Sequence, residues 1–129
     1  MAFMLPAMEP NEKNGDYDLR IMRAILPNAE YDNAIDRPTV SIGTDILTLE
    51  YQSAFAGMPS RFIAAYMYGG RAGRGERRRV YPEPVKALRA VLQLADSEFQ
   101  DEEEKLEILL ANVKEKRSRI AGVISSLPE

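Results

Sequence analysis

At 129 residues, with 45% apolar and 29% charged side chains, the chain is long enough for one domain and apolar enough to bury a core. It contains no Cys, no His and no Trp. That excludes disulfide frameworks, thiol nucleophiles, Ser-His-Asp machinery and the usual zinc, haem and iron–sulfur ligand sets. The expectation is a non-enzymatic binding protein with no cofactor and no metal.

The formal net charge of −3 conceals three blocks. Residues 1–60 carry a net −5, residues 61–89 a net +6 and residues 90–129 a net −4. A basic island between acidic flanks is a local field that the mean charge does not describe. No stretch approaches the roughly 18 apolar residues of a membrane span. The opening Met1-Ala2-Phe3-Met4-Leu5-Pro6 lacks the basic lead of a secretory signal. A cytoplasmic site and no membrane partner are the default expectations.

Taken in chain order, residues 1–15 hold Pro, Gly and no period, and read as a flexible tail. Asp16 or Asp18 is placed to cap a helix to about Leu26, with Leu19, Met22 and Ile25 (or Leu26) as its apolar stripe. Residues 28–38 are polar and turn-rich. The stretch 39–57 supports two readings. At period two, Val40/Ile42 and Leu47/Leu49/Tyr51 form a hairpin around Gly43-Thr44-Asp45. At period 3.6, a helix from about 45 to 56 is capped by Thr44 or Asp45 and stopped by Gly57 in the left-handed region. Poor strand propensity in Gln52-Ser53-Ala54-Phe55-Ala56 favours the helix, leaving at most a short β element near 39–51.

Ser60 then suits the cap of a second helix to about Tyr68, ended by Gly69-Gly70. The run 69–79, GGRAGRGERRR, offers only Ala72 as an apolar group and reads as a loop. From Pro84 to Leu127 the spacing alternates three and four without a slip: Val85, Leu88, Leu92, Ala95, Phe99, Glu102, Leu106, Leu109, Val113, Lys116, Ile120, Val123, Leu127. This is heptad geometry. A parallel two-stranded zipper would set Glu98 against Glu103 of its partner, and Val91, Leu110 and Ile124 widen the stripe. A multi-helix bundle follows, from a hairpin broken near 96–101 or from self-association through Leu92, Phe99, Leu106, Leu109, Val113, Ile120 and Val123.

The expected fold is therefore mainly α: a tail (1–15), a helical domain (16–95) with an Arg-rich loop (69–79), and an oligomerisation helix or helical hairpin (96–129). In this reading Ser53 sits at the crossing of a helix pair, Gly57 at the turn and Met58 beneath it. The run Ala56-Gly57-Met58-Pro59-Ser60-Arg61-Phe62-Ile63, followed by Gly-Gly-Arg and Pro82-Glu83-Pro84-Val85, resembles the helix-turn-helix family of phage repressors over residues 44–95. It departs from that pattern at Gln52 and in the length of the Arg-rich link.

The resemblance implies that the second helix enters the major groove of double-stranded DNA and presents Ser60, Arg61, Ala64, Ala65 and Tyr68. Arg71, Arg74, Arg77, Arg78 and Arg79 would form an arm gripping phosphate. The leading functional expectation is a small transcriptional regulator or a phage DNA-packaging component. Its rival is a protein–protein module, an assembly adaptor or inhibitor whose basic loop docks on an acidic protein surface. Gly70-x-x-Gly73-x-Gly75 lacks the strand and helix that a dinucleotide fingerprint needs. The pairs Asp16/Asp18 and Asp32/Asp36 read as capping or solvated groups.

Overall fold

A computed structural model describes residues 3–70 and 75–129. It contains α1 (Asn14–Ile25), β1 (Glu30–Asp32), β2 (Arg37–Ile42), β3 (Asp45–Gln52), β4 (Arg61–Met67), β5 (Glu76–Tyr81) and α2 (Pro84–Ser126). The strands form one antiparallel sheet in the order β1-β2-β3-β4-β5, each paired with its sequence neighbour. The mainly α expectation is overturned: the two segments read as a helix pair are the adjacent strands β3 and β4, in register from Ile46↔Met67 to Gln52↔Arg61.

The physical reason lies in burial. From Phe62 to Tyr66, β4 is buried on both faces, so its apolar side chains run continuously instead of alternating. Ala64 and Ala65 carry helix propensity, but a central strand admits small residues where neighbours pack close. Before it, β3 follows the period-two reading, with Leu47, Leu49 and Tyr51 on one face. Residues 76–79, taken for the end of the 69–79 loop, belong to the edge strand β5. An edge strand needs a paired backbone on one side only, and its Arg side chains reach solvent.

Cross-strand pairs Leu47–Tyr66, Leu49–Ala64 and Tyr51–Phe62 define the core face. Tyr17, Ile21 and Met22 of α1 and Ala87, Leu88, Val91 and Ala95 of α2 bury against it. Tyr17, Tyr51 and Phe62 form an aromatic cluster, with the Tyr17 and Tyr51 rings edge-on at 4.9 Å and Tyr51 and Phe62 at 5.2 Å. Residues 3–13 are attached to this unit: Tyr17 donates its hydroxyl to the Pro6 carbonyl (2.6 Å), and Arg20 bonds the Ala7 carbonyl and the Glu12 carboxylate. Phe3 and Met8 lean on the core.

Asp18 is not a cap. Helix α1 begins after Lys13 without a side-chain cap, and Asp18 lies on its inner face, 3% exposed. Its Oδ1 accepts the Tyr51 backbone N–H at 2.6 Å. Pairing of β2 with β3 ends at Thr39↔Thr48, and Asp18 supplies Tyr51 with an acceptor beyond that point. Burial of the carboxylate raises its pKa to about 7, with the Tyr51 N–H working the other way.

The opposite face carries Ile46, Thr48, Ile63 and Ala65. Thr48 and Ala65 are buried there at 0% and 1% exposure. Arg37 of β2 pairs with Glu76 of β5 across it, Nη1 to Oε1 3.7 Å. In a flat sheet, strands three places apart lie about 14 Å from each other. The ion pair fits a sheet whose opposite face curls inward, the concave face, and Thr48 and Ala65 are buried on it.

Asp45, expected as a cap, ties two turns together: it accepts the Tyr66 hydroxyl at 2.7 Å and the Gly69 N–H at 2.8 Å. Burial, then the Asp45 hydrogen bond, push the Tyr66 pKa upward. Replacing Asp45 by Ala leaves both donors without this acceptor, and a loss of about 2 kcal/mol in unfolding free energy by urea titration is expected.

The chain divides between Ala95 and Asp96 into two compact units. Residues 96–126 of α2 are continuous helix, with no break near 96–101.

Candidate functional site

Three surfaces remain once the core is assigned. The first is β5. Register sets its residues alternately on the two faces: Arg77 and Arg79 lie opposite Tyr66 and Ala64 on the core side, and Arg78 opposite Ala65 on the concave side. Arg61 shares the concave side with Arg78. The guanidinium groups are thus divided between two faces, whereas the DNA reading needs them on one. Their contacts reduce the field further. Arg78 bonds the Glu76 carboxylate (3.1 Å), and Arg61 donates to Gln52 Oε1 (2.8 Å). Arg79 donates to the Arg78 carbonyl, and the Arg77 guanidinium lies 5.7 Å from the Tyr68 ring centre.

The remaining residues assigned to a DNA-reading helix are placed as follows. Ser60 is half-buried just before β4, and Ala65 is fully buried in the sheet, where no base edge can reach it. Tyr68 packs beside the core, its ring 5.0 Å from Tyr66. Arg71 and Arg74 lie outside the described residues.

The second surface was missed in sequence. Between β3 and β4 the chain makes a two-residue hairpin: Phe55 and Met58 exchange both backbone hydrogen bonds, at 3.0 and 2.9 Å, around Ala56 and Gly57. Both central residues have positive φ, 50° and 82°, the signature of a type I′ turn. The left-handed conformation expected of Gly57 is present, but it turns a hairpin and does not end a helix. Phe55 is left 82% exposed and Met58 53% exposed at the tip. The signal was there, a small-Gly pair between two apolar residues. A substitution Gly57→Ala is expected to cost about 1 kcal/mol in thermal or urea unfolding through φ strain alone, because nothing lies near its Cβ position.

The third surface is the C-terminal unit. Leu106, Leu109, Val113, Ile120, Val123 and Leu127 are each 53–61% exposed, and the flanking Leu110 and Ile124 are 54% and 63% exposed. Phe99 is 42% exposed. Leu92, assigned to the same stripe, instead leans on the sheet core. The buried stripe of α2 up to Ala95 is Pro84, Ala87, Leu88, Val91 and Ala95, so the heptad seam serves the sheet there and is uncovered beyond it.

Among the described residues no cluster of acidic side chains is arranged to hold a metal ion. No described helix is long and apolar enough to cross a membrane. The fold is thus an antiparallel sheet unit with two packed helical segments, continued into a helix with an uncovered apolar seam. Comparison of the chain with protein-family models, with curated proteins and with solved structures finds no match.

Proposed function

We propose that the protein is a non-enzymatic assembly module that self-associates through the apolar seam of residues 99–127 and offers the basic β5 edge to an acidic protein surface. One observation carries this reading. A run of Leu, Val and Ile side chains, each more than half exposed, follows a heptad spacing along a continuous helix. A soluble monomer rarely leaves contiguous apolar surface of this extent, and the spacing is that of helix-to-helix packing.

Of the two partners weighed for the arginines, the acidic protein surface is favoured over duplex DNA. The recognition helix that would have entered the groove is strand β4, and Arg61 and Arg78 lie on the opposite face from Arg77 and Arg79. A groove binder needs its cations on one side.

Size-exclusion chromatography with light scattering tests self-association. The expected mass is a multiple of 14.5 kDa, and a mass of 14.5 kDa at high protein concentration would overturn the reading. For the partner class, no shift of random duplex is expected at about 50 mM salt, where phosphate contacts are strongest. A shift that disappears when Arg77, Arg78 and Arg79 are changed to Ala would return the protein to the DNA binders.

A further inference from the structure

The seam is interrupted at two positions, and the interruptions are opposite in charge. Glu102 and Lys116 both occupy the d position of the heptad, seven residues before and seven after Leu109. The rest of the unit repeats the pattern. Residues 96–107 hold seven acidic side chains and one Lys, a net of −6, whereas 114–119 hold four basic side chains and one Glu, a net of +3. Within the basic block Arg119 pairs with Glu115 at 2.7 Å, one turn away on the same helix.

We propose that the seam is covered by the same segment of a second copy running antiparallel, with Leu109 near the two-fold axis. The proposal rests on the self-association argued above and adds its direction. In a parallel, in-register pair, Glu102 would meet the partner's Glu102 in the seam and Lys116 the partner's Lys116, and Glu98 would face the partner's Glu103. Each of these is a like-charge contact at an interface that excludes water. Reversing one helix changes every sign. Glu102 comes within about one helical turn of the partner's Lys116, the acidic block lies along the basic one, and two-fold symmetry makes each match twice. Leucines 106 and 109 then meet at the centre, with Leu110 and Ile124 widening the apolar contact on its flank. A second copy supplies the whole complement, charge and apolar surface together. That is why it is the occupant argued for in place of an unrelated helix.

The absence of Cys from the chain makes the direction measurable. Ser97 and Ser118 both lie at the outward f position of the heptad and are exposed. With Ser97→Cys in the full chain carrying a spin label, antiparallel pairing sets the two labels about 36 Å apart along the axis, whereas parallel pairing sets them level. In a mixture of Ser97→Cys and Ser118→Cys chains the order reverses, about 4.5 Å along the axis for antiparallel against about 32 Å for parallel. A long Ser97 distance with a short mixed distance is the expected result. A short Ser97 distance would overturn the direction and leave self-association standing, and no dipolar coupling at all would overturn both.

An independent readout comes from affinity. The substitution Lys116→Glu is expected to weaken association at least tenfold, and Glu102→Lys added to it to restore most of that loss. In a parallel pair the single substitution exchanges one like-charged layer for another and leaves the affinity unchanged, which would overturn the proposal.

Discussion

Changing Leu109 and Val113 together to Asp is expected to convert the assembled protein into a 14.5 kDa monomer with its sheet unit intact. Each side chain is over half exposed in the single chain, and the proposed assembly covers it. Burying a Leu or Val side chain contributes about 1.5–3 kcal/mol, and two per copy count twice in a symmetric pair. Removing them costs at least about 6 kcal/mol, a factor of about 10⁴ in dissociation constant, before the penalty of burying carboxylates is added. All six tyrosines precede residue 96, so the tyrosine band of the near-ultraviolet circular dichroism reports the sheet unit alone. That signal is expected to stay unchanged while the 222 nm helix signal falls, because a lone helix in water frays without packing. Loss of both signals would mean that these residues support the fold of the whole chain.

The second large effect is on pH dependence, through Asp18. Its carboxyl has a folded-state pKa of about 7 against an ordinary carboxylate value in the unfolded chain, chiefly because it is buried. Between those values the folded state binds the extra proton. Stability from this group is therefore full below about pH 4 and is lost as pH rises to about 7. The Asn side chain keeps an acceptor for the Tyr51 N–H and has no charge to desolvate. Asp18→Asn is thus expected to raise unfolding free energy by about 4 kcal/mol at pH 8, with the gain shrinking towards zero near pH 4. Asp18→Ala removes the acceptor as well and is expected to fall below Asp18→Asn by about 1–3 kcal/mol at every pH. Urea titrations of the three proteins at pH 4, 6 and 8 separate these outcomes. A gain for Asp18→Asn that does not vary with pH would contradict the assignment.

What was legible in the sequence follows from which interactions are local. Helix α1 was found because Met22 and Ile25 repeat at helical spacing, and its inner face is shifted only slightly, to Tyr17, Asp18, Ile21 and Met22. The heptad run from Pro84 was found for the same reason and is one helix of 43 residues. The sheet was not, because its signals are settled by tertiary contact. In β4, Ala64 and Ala65 favour a helix locally, and only pairing with β3 and β5 makes a continuous apolar run into a central strand. Ser60 and Gly57 looked like a cap and a stop, but the same residues also serve hairpins, where Gly57 is found. In β5, three consecutive arginines hid a strand that needs no apolar face. Asp18 looked like a helix cap because nothing nearby in sequence reveals that Tyr51, 33 residues away, lacks an acceptor.

Amide hydrogen exchange on the full chain tests, residue by residue, that the helix seam lies inside an interface. Amides of Leu106–Val123 are expected to be protected far beyond what a solitary helix sustains, and to lose that protection on dilution while the β4 amides keep theirs. Exchange over Leu106–Val123 that is fast and indifferent to protein concentration, beside a protected β4, would contradict it.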